Sequence, residues 1–469
     1  MTTLVRPHRF SGLVRVPSSK SHTIRCLLIA AMADGISEIL NPLDCLDTRS
    51  CVSVCRALGA EISEHVALDE KGEKLVSWKV KGHGPFFDGS SSSEIKLCNV
   101  GNSGTTLFLA LAMAALGTSP VKFEGDEQTQ RRGAGPLLLA LTGLGAYVES
   151  GPNGNVPISV RGPFKGGRVV LPCPTSQYLS ALLLAAPMAP AGVVTEIDVP
   201  LLNEKPYIEM TLSYLDSQNI PFEAAPDFSY FKIPGGSAWK PLDGQVPGDF
   251  SSAAYPAAAA AITGASVTLL GLDPDDSQGD KVFFDFLQNM GCIVSWELIP
   301  GQRVSLGQFT SDGLEAIGVN SVEINYGEYL LNVSRSGPLM GGEFDLNGTP
   351  DLLPVMAAVA SYAKGDTALV NVAHARIKET DRLSVITQEL RKLVEITERP
   401  DGLVIHGCGG IPLPKGENLK LESRGDHRVF MALAVAALGC PLPVEISGAE
   451  SAELSYPGFL GLIGADFVY

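Results

Sequence analysis

Six times along the 469-residue chain, a Ser, Thr, Asn or Asp opens an Ala/Leu-rich run that closes near a Gly and leads into a strand-like segment. The openers are Ser18, Asn102, Thr175, Asp249, Thr349 and Asp426, at intervals of 84, 73, 74, 100 and 77 residues. Their side-chain oxygens accept from the unpaired N–H groups that begin a helix, so each is a cap candidate. The runs are 25–33, 105–116, 179–186, 253–262, 352–363 and 429–438, almost free of charge. Helices of that kind have no solvated face and must be buried on most sides.

Each run is followed by an apolar alternating segment: 38–40, 121–123, 195–199, 267–270, 368–370 and 444–446. A polar loop then enters a second amphipathic helix with a shared ending, as in RALGAEI, LTGLGAYV, LQNMGCIV and LIGADFV. Period-two strands alternating with 3.6-period helices indicate α/β units. The interval is longer than the 20–50 residues of solenoid repeats, so each copy is a whole subdomain. The turn-rich stretch KPLDGQVPGD at 240–249 divides three copies from three, which predicts two similar domains.

A net charge of -16 argues against nucleic acid or an acidic membrane surface as partner. The N-terminal MTTLVRPHRFSG lacks the apolar core of a secretion signal, and the Ala/Leu runs are too short to span a bilayer. Nine cysteines without a CxxC pair point to free thiols in a reducing compartment, so a cytoplasmic protein is expected. Cys51 and Cys55, one helical turn apart, are read as buried thiols, and no metal site is expected.

Helix N-termini present free N–H groups and about half a positive charge, which suits anions. The first mouth adds Lys20, Ser21 and Arg25, and the second is the small-residue loop Gly101-Asn102-Ser103-Gly104-Thr105. The third offers Thr175-Ser176-Gln177, and the sixth Asp426-His427-Arg428. Loops before the second helices contribute Arg131-Arg132 and Lys378-Glu379-Thr380-Asp381-Arg382, and Asp351 follows Thr349-Pro350. Arg binds carboxylate or phosphate bidentately, and a carboxylate beside cations is a candidate acid or base.

The motifs SSKSHTIRCLLIAA, GNSGTT, PTSQYLSALLLAAP, NEKPYIEMTL, GDFSSAAYPAAAAAI, TPDLLPVMAAVA, RIKETDRL and GDHRVFMA resemble those of the 5-enolpyruvylshikimate-3-phosphate synthase family, in family order over nearly the whole chain. The resemblance implies a two-domain inverse α/β prism, each domain of three βαβαββ units, with a cleft between domains. It implies that residues 1–18 join 247–469 in one domain and that 19–246 form the other. It further implies transfer of the enolpyruvyl group of phosphoenolpyruvate to the 5-hydroxyl of shikimate 3-phosphate, by addition and elimination, without cofactor. Two small anionic substrates are then the partners, and a monomer is expected.

By motif, Lys20, Gly104, Arg132, Gln177, Arg382 and Arg428 would hold phosphoenolpyruvate. Ser21, Arg25, Thr175, Ser176, Gln177, Asp351 and Lys378 would hold shikimate 3-phosphate. Asp351 would take the hydroxyl proton, while Glu379, with Lys20 and His427, would serve the methylene carbon. Four positions depart from the family pattern. Glu204 replaces a Ser before KPY, where it must turn away from a phosphate or pair with Lys205 or Arg25. His374 replaces an Asn, Phe108 an Arg, and the segment Glu453-Leu454-Ser455-Tyr456-Pro457 lacks a Lys. These departures motivate two alternatives: a carboxyvinyl transferase for another alcohol, or a non-catalytic phosphometabolite binder. The related UDP-N-acetylglucosamine enzyme is disfavoured because residues 124–136 hold no Cys.

Overall fold

The computed structural model describes residues 1–68, 74–84, 95–298, 328–412 and 419–468. Each repeat supplies two helices. The central three repeats give α1 (Lys20–Met32) and α2 (Leu46–Leu58), α3 (Gly104–Ala114) and α4 (Gly135–Gly143), and α5 (Gln177–Ala185) and α6 (Lys205–Ser217). The later three give α7 (Phe250–Thr263) and α8 (Val282–Asn289), α9 (Leu353–Ala360) and α10 (Arg382–Leu390), and α11 (His427–Leu438) and α12 (Phe459–Leu462). The caps of α1, α3 and α5 are Ser19, Ser103 and Ser176, each one residue after the expected opener. Asp249 and Asp426 cap α7 and α11 through their carboxylates, and Thr349 begins a 3-10 turn that runs into α9.

The apolar helices are enclosed, as their composition requires. Every residue of α11 is buried, as is α7 from Phe250 to Ile262. Alanine makes this possible, because short side chains let α7, α9 and α11 pack against one another at close range. No described helix is long and apolar enough to cross a membrane.

Among the described residues the strands form six four-stranded sheets with one repeated order. In the second repeat, Lys96–Asn99 lies parallel to Val121–Glu124, which is antiparallel to Ile158–Arg161, which is antiparallel to Tyr147–Ser150. The parallel pair is bridged by α3 and the antiparallel edge is reached through α4, a mixed α/β unit.

Two sheets exchange their leading strand. Gly12–Arg15 precedes α1, yet pairs in parallel with Ser266–Leu270, which follows α7. Asp243–Gln245 precedes α7, yet pairs in parallel with Asp34–Leu40, which follows α1. The chain therefore crosses twice between two compact units, a terminal unit of residues 1–17 with 247–469 and a central unit of 18–246. Ser18 sits with the central unit. The terminal unit closes on itself through Thr2–Val5, which lies between Val444–Ser447 and Asp466–Val468.

Candidate active site

In the central unit, the N-terminal ends of α1, α3 and α5 carry the candidate residues. Lys20, the first residue of α1, pairs through Nζ with Asp47 Oδ2 at 2.8 Å, from the first turn of α2. Asp47 Oδ1 is buried without a hydrogen-bond partner among the described residues, so Lys20 is what offsets its charge. Gln177 Nε2 donates to Thr105 Oγ1 at 2.9 Å and ties the mouth of α5 to that of α3. Gly104 lies against Arg132: a Cβ there would stand 2.0 Å from Nη1, so the absent side chain is the space the guanidinium occupies.

Arg25 is 2% exposed and lies between three helices. Its Nε donates to Thr211 Oγ1, Nη1 to Ser21 O, and Nη2 to Ser180 Oγ and Tyr207 O, at 3.0–3.3 Å. All of these acceptors are neutral. Burial pulls the guanidinium down to about 10, the mark of a cation held without a carboxylate. Four of its five N–H groups are thereby engaged, leaving one for a ligand.

Glu204 turns neither away nor onto Arg25. It is 1% exposed, and Thr175 Oγ1, Ser176 N and Ser176 Oγ donate to its Oε2 at 3.2, 3.0 and 2.7 Å. The correction has a backbone cause. Glu204 is the N-cap of α6 with φ 60° and ψ 43°, a left-handed conformation that aims the side chain at the neighbouring helix and leaves its own uncapped.

The terminal unit gathers charge instead. Arg382, the first residue of α10, is fully buried among three carboxylates. Its Nη1 meets Asp351 Oδ1 at 2.6 Å, Nη2 meets Glu379 Oε2 at 2.5 Å, and Nε meets Asp426 Oδ2 at 2.9 Å. Asp351 also pairs with Arg428 Nη2 at 2.9 Å. Burial would raise the Asp351 carboxyl, but Arg428, Lys378 and Arg382 outweigh it and hold the group well below the usual carboxylate range. Arg382 is held above its ordinary value: burial opposes its charge, and Asp426, Glu379 and Asp351 overcome that cost. His427, the first residue of α11, is buried beside them.

The structure thus brings Asp351, Glu379, Arg382 and Arg428 into one network in the terminal unit, with Lys378 acting on Asp351. It brings Ser21 with Arg25, and Thr175 with Ser176, in the central unit. Three participants escaped the sequence reading of the site. Asp426 was seen only as a cap, and Asp47 carried no signal beyond an acidic first turn. The third is Asp280, a buried carboxyl that accepts from the Ser251 hydroxyl while Oδ1 lacks a hydrogen-bond partner among the described residues. Burial, reinforced by Asp351, pushes it up to about 7 against the pull of Arg428. No group of His, Cys, Asp and Glu among the described residues could hold a metal ion.

The chain matches the family described as EPSP synthase (3-phosphoshikimate 1-carboxyvinyltransferase) over residues 5–462. It belongs to the EPSP synthase family. A relative named 3-phosphoshikimate 1-carboxyvinyltransferase, from Acetivibrio thermocellus, is 42% identical over 471 residues, covering 99% of both chains. Another so named, from Ruminiclostridium cellulolyticum, is 38% identical over 459 residues, covering 97% of this chain and 96% of that one. The solved EPSP synthase of Acinetobacter baumannii is 25% identical with a TM-score of 0.73, covering 99% and 97%.

Positions that depart from the EPSP synthase pattern have local explanations. Phe108, where an Arg was expected, is buried edge-on against Tyr178 with ring centroids 5.1 Å apart. Tyr178 donates its hydroxyl to Gly133 O, beside Arg132, so the aromatic pair braces that loop. His374 is buried, with Nε2 3.1 Å from Asn347 O. Glu453 stands near the expected Lys and accepts from Gly458 N at 3.3 Å.

Proposed function

We propose that this protein transfers the enolpyruvyl group of phosphoenolpyruvate to the 5-hydroxyl of shikimate 3-phosphate and releases phosphate. The observation that carries the reading is the network around Asp351, a carboxylate supported by Arg382, Arg428 and Lys378 on family motifs. In the addition step the acceptor oxygen bonds to C2 of phosphoenolpyruvate, its proton passes to Asp351, and a proton is added to C3. Elimination returns the C3 proton and expels phosphate, which restores the double bond. Glu379, with Lys20 and His427, is assigned the proton traffic at C3.

While its cations attend it, Asp351 is held in its ionised form with a lowered proton affinity. Anionic substrates that engage Arg428 and Lys378 draw positive charge away from the carboxylate and raise its proton affinity when it is needed. Arg382 keeps its three carboxylates in place and has little capacity left for a ligand, so Arg428 carries more of the phosphoenolpyruvate binding. Lys20, Arg132 and Gln177 in the central unit are assigned to the same substrate; Ser21, Arg25, Thr175, Ser176 and Lys378 are assigned to the acceptor. The test is phosphate release from phosphoenolpyruvate with and without shikimate 3-phosphate, with the product mass determined. Acceptor-dependent release with the enolpyruvyl adduct is expected. Release with a different alcohol alone would replace the acceptor, and no release by the folded protein would remove the activity.

A further inference from the structure

Glu204 brings a full negative charge to donors that the proposed function assigns to the acceptor's phosphate. Three donors from Thr175 and Ser176 converge on one oxygen, including the N–H of the residue that caps α5. This is the arrangement that receives an anion at a helix start, here satisfied from within the chain. The segment bearing Glu204 is fixed independently. Cys173 N donates to Leu201 O at 2.8 Å, Asn203 N to Cys173 O at 3.1 Å, and Asn203 Nδ2 to Pro174 O at 3.3 Å. The backbone around Glu204 is therefore pinned, so any withdrawal of the carboxylate has to come from rotation of the side chain.

Two further features separate this carboxylate from an ordinary cap. Its residue adopts a left-handed conformation that non-glycine residues avoid, and it leaves its own helix uncapped to serve α5. Meanwhile the buried Arg25 guanidinium of α1 reaches Ser180 of α5 and Thr211 and Tyr207 of α6 through neutral acceptors and makes no hydrogen bond to Glu204. A structural ion pair would have joined the two.

We propose that Glu204 is a place-holding anion, a positioning residue that occupies the mouth of α5 in the unliganded protein and must swing out when the acceptor's phosphate binds. It keeps Thr175 and Ser176 oriented as donors, and the population in which it has left sets the apparent acceptor affinity. The proposal rests on the shikimate 3-phosphate reading, and its test separates the two.

Glu204→Gln keeps the shape and an accepting oxygen but removes the charge, and Glu204→Ser removes the anion altogether. Calorimetric titration with shikimate 3-phosphate is expected to give binding about tenfold tighter in both, as for a wild type whose open state is about one-tenth populated. The acceptor KM is expected to fall with it, while the KM for phosphoenolpyruvate serves as internal control. A merely structural role would lower melting temperature and weaken both substrates together. Equal or weaker acceptor binding by folded Glu204→Gln overturns the proposal, as does unfolding of both variants. If shikimate 3-phosphate binds none of the proteins, inorganic phosphate is the second probe. Tighter phosphate binding by Glu204→Gln would then keep the place-holder and discard the acceptor, and no gain with either probe discards the place-holder. Binding without turnover overturns only the catalytic reading.

Discussion

The two units furnish their helix starts by opposite means. The terminal unit prepays in charge: Arg382 is surrounded by Asp351, Glu379 and Asp426 before any ligand arrives. The central unit relies on hydroxyls, amides and separated cations, with Arg25 held by neutral acceptors and Lys20 paired with Asp47. A dense ion network fixes geometry and proton affinities together, so disturbing one member disturbs all. A guanidinium held by neutral acceptors, as Arg25 is, keeps its charge uncompensated, and one local residue can change such a cradle without collapse. Chemistry that moves protons is expected from the first and discrimination among anions from the second.

The largest effect expected is on folding. Arg382→Ala removes the buried cation shared by Asp351, Glu379 and Asp426 in the terminal unit and is expected to cost about 3–5 kcal/mol, read by denaturant unfolding. Lys20→Ala, which leaves the buried Asp47 without its ammonium partner, is expected to cost less. Equal losses would abolish the contrast between the units. Next comes turnover: Asp351→Asn is expected to lower kcat about 10²- to 10⁴-fold as a lost proton acceptor, with the melting temperature changed far less than in Arg382→Ala. A kcat within twofold of wild type would remove Asp351 from the chemistry.

The pH dependence of stability sharpens the comparison further. Asp280 is raised to about 7 in the folded protein and returns to about 4 on unfolding. Between those values the native state binds the extra proton, so its contribution is complete below pH 4 and is lost as pH rises through 7. Asp280→Asn is expected to flatten that decline in unfolding free energy between pH 4 and 7, and an unchanged slope would place the titration elsewhere. The smallest effect is expected at Gly104. Gly104→Ala must displace the end of Arg132, raising the KM for phosphoenolpyruvate a few-fold while leaving that for shikimate 3-phosphate unchanged. An unchanged KM for phosphoenolpyruvate would detach that loop from the phosphoenolpyruvate subsite.

Much of this was legible because it is written in short-range chemistry. Cap residues, uncharged Ala/Leu runs and alternating strands marked all six repeats, and family motifs marked both charge clusters. The caps of α1, α3 and α5 were misplaced by one residue because Ser18-Ser19, Asn102-Ser103 and Thr175-Ser176 each offer two adjacent acceptors. Only backbone geometry chooses between them. The strand exchange was beyond residue-level reading, since Gly12 and Val267 meet through a pairing that no local pattern encodes. The direction of Glu204 was illegible for another reason. It depends on a left-handed backbone, which a Glu gives no cause to expect.

The N-terminal strand carries a consequence for how the molecule is made. Thr2–Val5 leaves the ribosome long before its pairing partners, which begin at Val444 and end at Val468. Residues 18–246 hold all the strands of three sheets and can assemble while synthesis continues. The first seventeen residues must wait, with Gly12–Arg15 served only when Ser266–Leu270 emerges. That sheet is therefore stitched shut by a strand made well before its partners, and a nascent protein stopped within the fourth repeat would shelter residues 18–246 from protease while residues 1–17 stayed open to attack.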